Sequence, residues 1–239
     1  MWIVLRRRRL LAGALTAALL LTALTILRRQ GAETAFRPER AADPVVVIDA
    51  GHGGVDGGAV ARDGTAESGI NLAVALRLQE LFLFCGEVPL MTRKTEDSLH
   101  SGDAVTIREM KVSDLKNRAA LVNAQQYAVL ISIHQNSLPE APSVRGAQVF
   151  YNAVPGAESY ALSVQAALNE TINGEKAKNA KPISATIYLM QHVNAPAILV
   201  ECGFLSNAEE TAALKTAAHQ LKLALAVLCG YYHTEEVPT

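Results

Sequence analysis

The chain opens on an apolar block and then changes rhythm. Leu10 to Leu27, LLAGALTAALLLTALTIL, carries no charge over 18 residues and is preceded by Arg6 to Arg9. A helix of that length spans roughly 27 Å, near the bilayer core thickness of about 30 Å. The arginine block and the terminal position point to a membrane segment, residues 1–29, rather than to a buried core helix. A cleaved signal peptide is the rival reading. Its apolar stretch is ordinarily about 7–15 residues with a small-x-small site behind it. Here Arg28 and Arg29 follow directly, so an anchor through residues 10–27 in the cytoplasmic membrane is favoured. Residues 30–44 are polar, aperiodic and end at Pro44, as a linker would. On either reading the rest of the chain lies outside the cytoplasm.

From residue 45 short apolar runs alternate with helical periods. VVVID is a β-branched run of the kind buried in parallel sheets. Ile70, Val74, Leu78, Leu81 and Phe82 recur at 3–4 spacing and predict a helix from Glu67 to Cys85. Glu87 to Thr92 reads as a second strand, and the polar residues 93–113 as a surface excursion. A helix capped by Asp114 and running through Ala124 leads into the strand Val129–Ile133, which ends at His134. Gly146–Tyr151 alternates like a strand and Ala157–Asn169 is helical by period. After a basic loop around Lys181 come two more strand candidates, Ile187–Met190 and Ala197–Glu201. Asn207-x-x-Glu210 resembles a capping box opening one long apolar helix to about Tyr232. The pattern predicts a single α/β domain, residues 45–233, with a central, mostly parallel twisted sheet of about six strands flanked by helices. Residues 234–239 form a tail.

Charge narrows the partners. All six basic residues of the first 29 lie where there are no acids, so the remaining 210 hold 16 basic against 23 acidic side chains, a balance of −7. Nucleic acid binding rests on Lys and Arg neutralising phosphates, and this body offers the opposite. Cys85, Cys202 and Cys229 are odd in number and lack a CxxC pair; they read as small apolar side chains, with one bridge left open.

In open α/β sheets the working groups gather past the carboxyl ends of the strands. His52 follows the first strand, His134 ends the third and Glu201 ends the last, while Glu67 opens the helix fed by the Gly-rich loop. Two imidazoles and a carboxylate are a three-ligand set for catalytic zinc, with the fourth position left to water. His52, Glu67 and His134 would be the ligands, and Glu201 the base that takes the water's proton and hands it to a departing amine. Each has a plainer rival: an exposed imidazole at a strand end, or an acid favouring a helix N-terminus. Glu201 resists dismissal, since a carboxylate after Ala197-Ile-Leu-Val is costly unless paired or functional. A phosphate cradle at Gly51–Gly64 is disfavoured because Asp56 stands where a dinucleotide fingerprint needs glycine and no Walker lysine is present. His100, His192, His219 and His233 read as structural or exposed, with His192 placed to reach the site.

VVVIDAGHGGVDGGAV, ESGINLAVAL, MTRKTED, DLKNRAALVNAQ, LISIHQNS and ILVECGFLSN, in this order, resemble the zinc-dependent N-acetylmuramoyl-L-alanine amidases. The resemblance implies one Zn²⁺ on His52, Glu67 and His134, a catalytic Glu201, and hydrolysis of the amide joining muramic acid to the peptidoglycan stem peptide. TIREMKVSDLKNRAALVNAQ, with SLH before it and RGAQVFY and AKPIS after, resembles the germination-specific group of endospore formers. That narrower likeness implies work on spore-cortex glycan on the way to muramic δ-lactam, together with a partner protein. Gln135 departs from the family pattern, in which a small or apolar residue follows the metal histidine. The alternatives are a general cell-wall autolysin, a zinc carboxypeptidase on the stem peptide, and an inactive membrane-anchored wall-binding module.

Overall fold

The computed structural model describes residues 44–234. The proposed membrane segment, most of the linker and the end of the tail lie outside the described residues; among the described ones no helix is long and apolar enough to cross a membrane.

The strands are β1 (Val45–Ala50), β2 (Leu90–Met91), β3 (Ala128–Asn136), β4 (Gln148–Tyr151), β5 (Lys181–Pro182) and β6 (Ala197–Phe204). They form one sheet in the order β2-β1-β3-β6-β4-β5. The first four in that order run parallel, while β4 is antiparallel to β6 and β5 follows β4. The helices are α1 (Glu67–Phe84), α2 (Ile107–Asn123), α3 (Ala157–Leu168), α4 (Tyr188–His192), α5 (Ala208–Leu214) and α6 (Ala217–Tyr232).

Both sheet faces are covered, which is why the central strands read as continuous apolar runs. Ile48, Ile131, Ile133 and Val200 pack under Leu78 and Phe82 of α1, Val164 of α3 and Val227 of α6. Val47, Leu130 and Leu199 point the other way, against Val122 of α2 and Leu189 and Met190 of α4. Side chains alternate along each strand, so one run of β-branched residues feeds two cores.

Several local expectations are corrected. Only Leu90 and Met91 of the second strand pair with β1, because Pro89 and the turn at Gly86 occupy its first half. The helix expected to start at Asp114 starts a full two turns earlier, where Thr106 and Glu109 cap each other reciprocally. Asp114 is instead buried mid-helix and ion-paired to Arg118 at 2.9 Å. Ile187–Met190 is not a strand: the sheet edge is taken by β5, and Leu189 and Met190 turn into the second core from the short helix α4. An apolar run of four residues does not by itself distinguish the two periods.

The long C-terminal helix is two helices. Asn207 caps α5 by accepting from the Glu210 amide, and Thr216 caps α6 by accepting from the His219 amide. Glu210 does not close the expected box; its carboxylate accepts the Gly146 and Phe204 amides at 2.7 Å each, tying the loop before β4 to the end of β6. All three cysteines are free: Cys202 is buried as expected, whereas Cys85 and Cys229 are exposed.

Candidate metal centre

β1, β3 and β6 end at a common carboxyl edge, and the polar side chains gather there. His52 lies two residues past β1 with φ +62°, a left-handed conformation uncommon outside glycine. Two buried arginines hold that turn. Arg118 donates to the carbonyls of Ala50 (2.8 Å) and His52 (2.6 Å), and Arg93 donates to those of Ala50 (2.9 Å) and Gly51 (3.0 Å). Both arginines rest on carbonyls that a tight turn would otherwise leave without partners.

Asp49, the last acid of β1, organises this support. It accepts from Arg118 (2.6 Å), Thr92 (2.8 Å) and Ser132 (2.6 Å) while fully buried. Burial alone would raise its carboxyl, but the Arg118 guanidinium and the two hydroxyls outweigh it and hold the group down to about 2.

Glu67 occupies the first position of α1 and is buried. Its Oε2 accepts the Ala59 amide (2.9 Å); its Oε1 accepts the Gln135 amide (3.0 Å) and the Asn71 carboxamide (3.1 Å). The same Oε1 lies 2.9 Å from His134 Nδ1 and 3.3 Å from His52 Nε2. The two imidazoles stand edge to face with centroids 5.0 Å apart. Burial would raise the Glu67 carboxyl, but the two histidines pull it well below the carboxylate range. In turn burial lowers His52, while Glu67 first and Asp56 second lift it to about 9. A point that stabilises positive charge on an imidazole this strongly is chemically suited to a cation.

One donor atom each from His52, Glu67 and His134 lies within 4.8 Å of the other two, close enough to hold one metal ion. The set is the nitrogen-and-oxygen mixture that zinc accepts. His52 Nδ1 points away from Glu67 to Asp56 Oδ2 at 2.9 Å, the arrangement by which a carboxylate fixes the tautomer of a ligating histidine. Asp56 is held in turn by Lys111 of α2 at 2.8 Å. Gly58 is obligatory here: its φ is +69°, and a Cβ would fall 2.5 Å from Glu67 Oε2 and 2.7 Å from His52 Cδ2.

Glu201 is the cross-strand partner of His134 in the β3–β6 ladder. Its Oε2 is enclosed and without a hydrogen-bond partner. Burial pushes the carboxyl up to about 7, against the pull of His134. Thus His52, Glu67 and His134 converge, with Glu201 on the adjoining strand.

His192 does not join them. It stacks on Tyr188 at 3.8 Å, and its carbonyl accepts from Asn123, the residue that closes α2 ahead of β3; both lie at the opposite edge, where the parallel strands begin. Sequence reasoning missed Asp49, Asp56, Asn71, Arg93 and Arg118. A signal for the first was available, because an aspartate inside VVVID needs a buried partner just as Glu201 does.

Residues 46–231 match the family model described as N-acetylmuramoyl-L-alanine amidase. The chain is 33% identical over 194 residues to the germination-specific N-acetylmuramoyl-L-alanine amidase of Bacillus subtilis, covering 80% of this chain and 81% of that protein. The CwlD amidase of Clostridioides difficile, solved in complex with the GerS lipoprotein, superposes with a TM-score of 0.75 at 34% identity, covering 80% of this chain and 97% of that one. A further N-acetylmuramoyl-L-alanine amidase from Clostridium difficile 630 gives 0.68 at 25% identity, over 80% and 96% of the two chains. The chain therefore belongs to the N-acetylmuramoyl-L-alanine amidase family.

Proposed function

We propose that this amidase cleaves the bond between the lactyl carbonyl of N-acetylmuramic acid and the L-alanine nitrogen with one Zn²⁺ held by His52, Glu67 and His134. The ion would supply Lewis acidity, lowering the pKa of water to about 7 and polarising the scissile carbonyl. Asp56 fixes the His52 tautomer, and Asn71 with the Gln135 amide orients Glu67. Glu201 accepts the proton of the attacking water and delivers it to the departing amine, leaving a free carboxylate on the lactyl group and a free N-terminus on the peptide. A carboxyl with an unpartnered buried oxygen and an elevated pKa can be both base and acid near neutrality.

The observation that carries the reading is the convergence of the three donor atoms within 4.8 Å beside the β6 carboxylate. Glu201→Gln tests it: the variant should bind zinc stoichiometrically yet lose at least about 10²-fold in turnover on purified sacculi, scored as new N-terminal L-alanine. Full activity would remove Glu201 from the mechanism.

The spore cortex is the proposed substrate. The likeness to a protein named germination-specific supports it, and the complex of the C. difficile amidase with a lipoprotein supports an accessory partner. The uncharged stretch Leu10–Leu27 behind four arginines supports a tether outside the cytoplasmic membrane. Cortex muropeptides from cells with and without this protein decide the first point; muramic δ-lactam that persists unchanged would exclude it.

A further inference from the structure

The edge where β1, β2, β3 and β6 begin lies opposite the metal centre, and its chemistry is different. Five connections line it: Cys85–Pro89 before β2, Ala124–Tyr127 before β3, Asn152–Gly156 after β4, Ile183–Ile187 after β5, and Val193–Pro196 before β6. Glu87 is their one charged side chain, and it accepts from Tyr232 at 2.8 Å. The loops at the carboxyl edge, by contrast, carry Asp56, Arg62, Asp63, Lys94, Asp97 and Arg145 among others.

This sparsely charged rim also presents large apolar side chains to solvent. Phe84 is 89% exposed, Val88 82%, Tyr127 60%, Leu83 47% and Val45 37%. Val45 donates its amide to the Tyr127 carbonyl at 2.8 Å, so two of them are immediate neighbours. Leu83 and Phe84 close α1 as it returns antiparallel to β1, and Val88 follows four residues later. Exposed apolar side chains grouped at one place mark a contact surface rather than chance.

The position of this rim along the chain selects the occupant. The polypeptide enters the domain at Val45, on the rim itself, after residues 28–43 and the uncharged stretch Leu10–Leu27. The 16 residues from Arg28 to Asp43 can span at most roughly 53–58 Å. A membrane-held linker of that reach keeps the rim at high effective concentration near the lipid surface, where even weak apolar contact is sufficient. We infer that this rim rests on the phospholipid bilayer surface, with Phe84, Val88 and Tyr127 dipping into the headgroup region as interfacial side chains do. The inference rests on the reading of residues 10–27 as an anchor. It adds an orientation: His134, six strand residues beyond Ala128, is held roughly 20 Å further from the lipid and turned toward the wall.

The test uses full-length protein in phosphatidylcholine vesicles made with and without brominated acyl chains. Trp2 is the sole tryptophan and reports the anchor in the native chain. In a Trp2→Phe background, Val88→Trp reports the rim, and Val105→Trp, 81% exposed on the excursion leaving the opposite edge, is the control. Expected are quenched emission from Trp2 and from the Val88→Trp chain and unquenched emission from the Val105→Trp chain. Adding Phe84→Glu to Val88→Trp should reduce quenching at least two-fold. Quenching of Trp2 without quenching at position 88 would overturn the rim while keeping the anchor, as would quenching at 88 that ignores Phe84→Glu or equals that at 105. No quenching at either Trp2 or 88 would overturn both. Self-association of the Val88→Trp chain in place of quenching would assign the rim to a second copy and overturn the lipid proposal.

Discussion

Asp49 and Arg118 carry the clearest energetic consequence at the scale of single residues. Both are buried, and each satisfies the other together with the backbone of the metal-site turn. Removing one partner of such a pair leaves an uncompensated buried charge, so Arg118→Met should destabilise the fold by about 3–5 kcal/mol in denaturant melts. Loss of zinc affinity should accompany it, because the His52 carbonyl loses its donor. The pair also sets an acid limit. Asp49 has a folded pKa of about 2, below its ordinary value of 3.8. Its stabilisation is fully present above pH 4 and is lost as pH falls toward 2, amounting to ~2 kcal/mol. Unfolding free energies measured between pH 5 and 2 should therefore fall less steeply in Asp49→Asn than in the parent; equal slopes would show that Asp49 is not the linked group. His134 and Glu201 were legible in the sequence because each directly follows an apolar run, and His52 because it follows the first strand. Asp49 follows such a run too, but its partner stands 69 positions away, a separation that no local pattern encodes.

At the scale of elements, α2 is the brace of the proposed metal centre. Its Arg118 grips the turn after β1, and its Lys111 holds Asp56 behind His52. Zinc affinity measured by chelator competition should fall about 10–100-fold in Asp56→Ala. It should fall less in Lys111→Ala, with Lys111→Arg restoring part of the loss; unchanged affinity in Asp56→Ala would mean that His52 needs no orienting group. Thr106→Ala removes the start of the same helix and should cost about 1 kcal/mol. This helix was only half readable. Ala119 and Val122 gave its last turns an apolar face, but the first two turns expose Ile107 and Val112 and lack a buried stripe. Their helicity comes from the Thr106–Glu109 box, and the sequence reading gave the start to Asp114, whose side chain serves Leu99 and Arg118 instead. Similarly, α4 was misread because four apolar residues fit either period until the second core claims two of them.

For the whole molecule, the proposed zinc site would link metal binding to folding. The ligands come from the turn after β1, the start of α1 and the end of β3, so an ion that binds only the folded chain adds about 4 kcal/mol when present at a thousand times its dissociation constant. Treatment with a chelator should therefore abolish hydrolysis of sacculi and lower the melting temperature together, and zinc should restore both; a melting temperature indifferent to the metal would place the ion elsewhere. The mostly parallel sheet of six strands flanked by helices was readable because strand and helix periods alternate over the whole domain. The reversal of β4 and β5 was not, since nothing in four- and two-residue strands encodes direction.

One rung of the β3–β6 ladder holds both the proposed metal donor, His134, and the proposed proton carrier, Glu201. Their separation is thus inherited from the spacing of neighbouring strands rather than from any loop. The loops that would choose among wall fragments can lengthen, shorten or be exchanged without detuning the reaction centre. Diversification of substrate preference is therefore expected in the stretches around residues 99–106 and 137–147, while the rung itself stays fixed; grafting those stretches between relatives should transfer selectivity with little change in turnover.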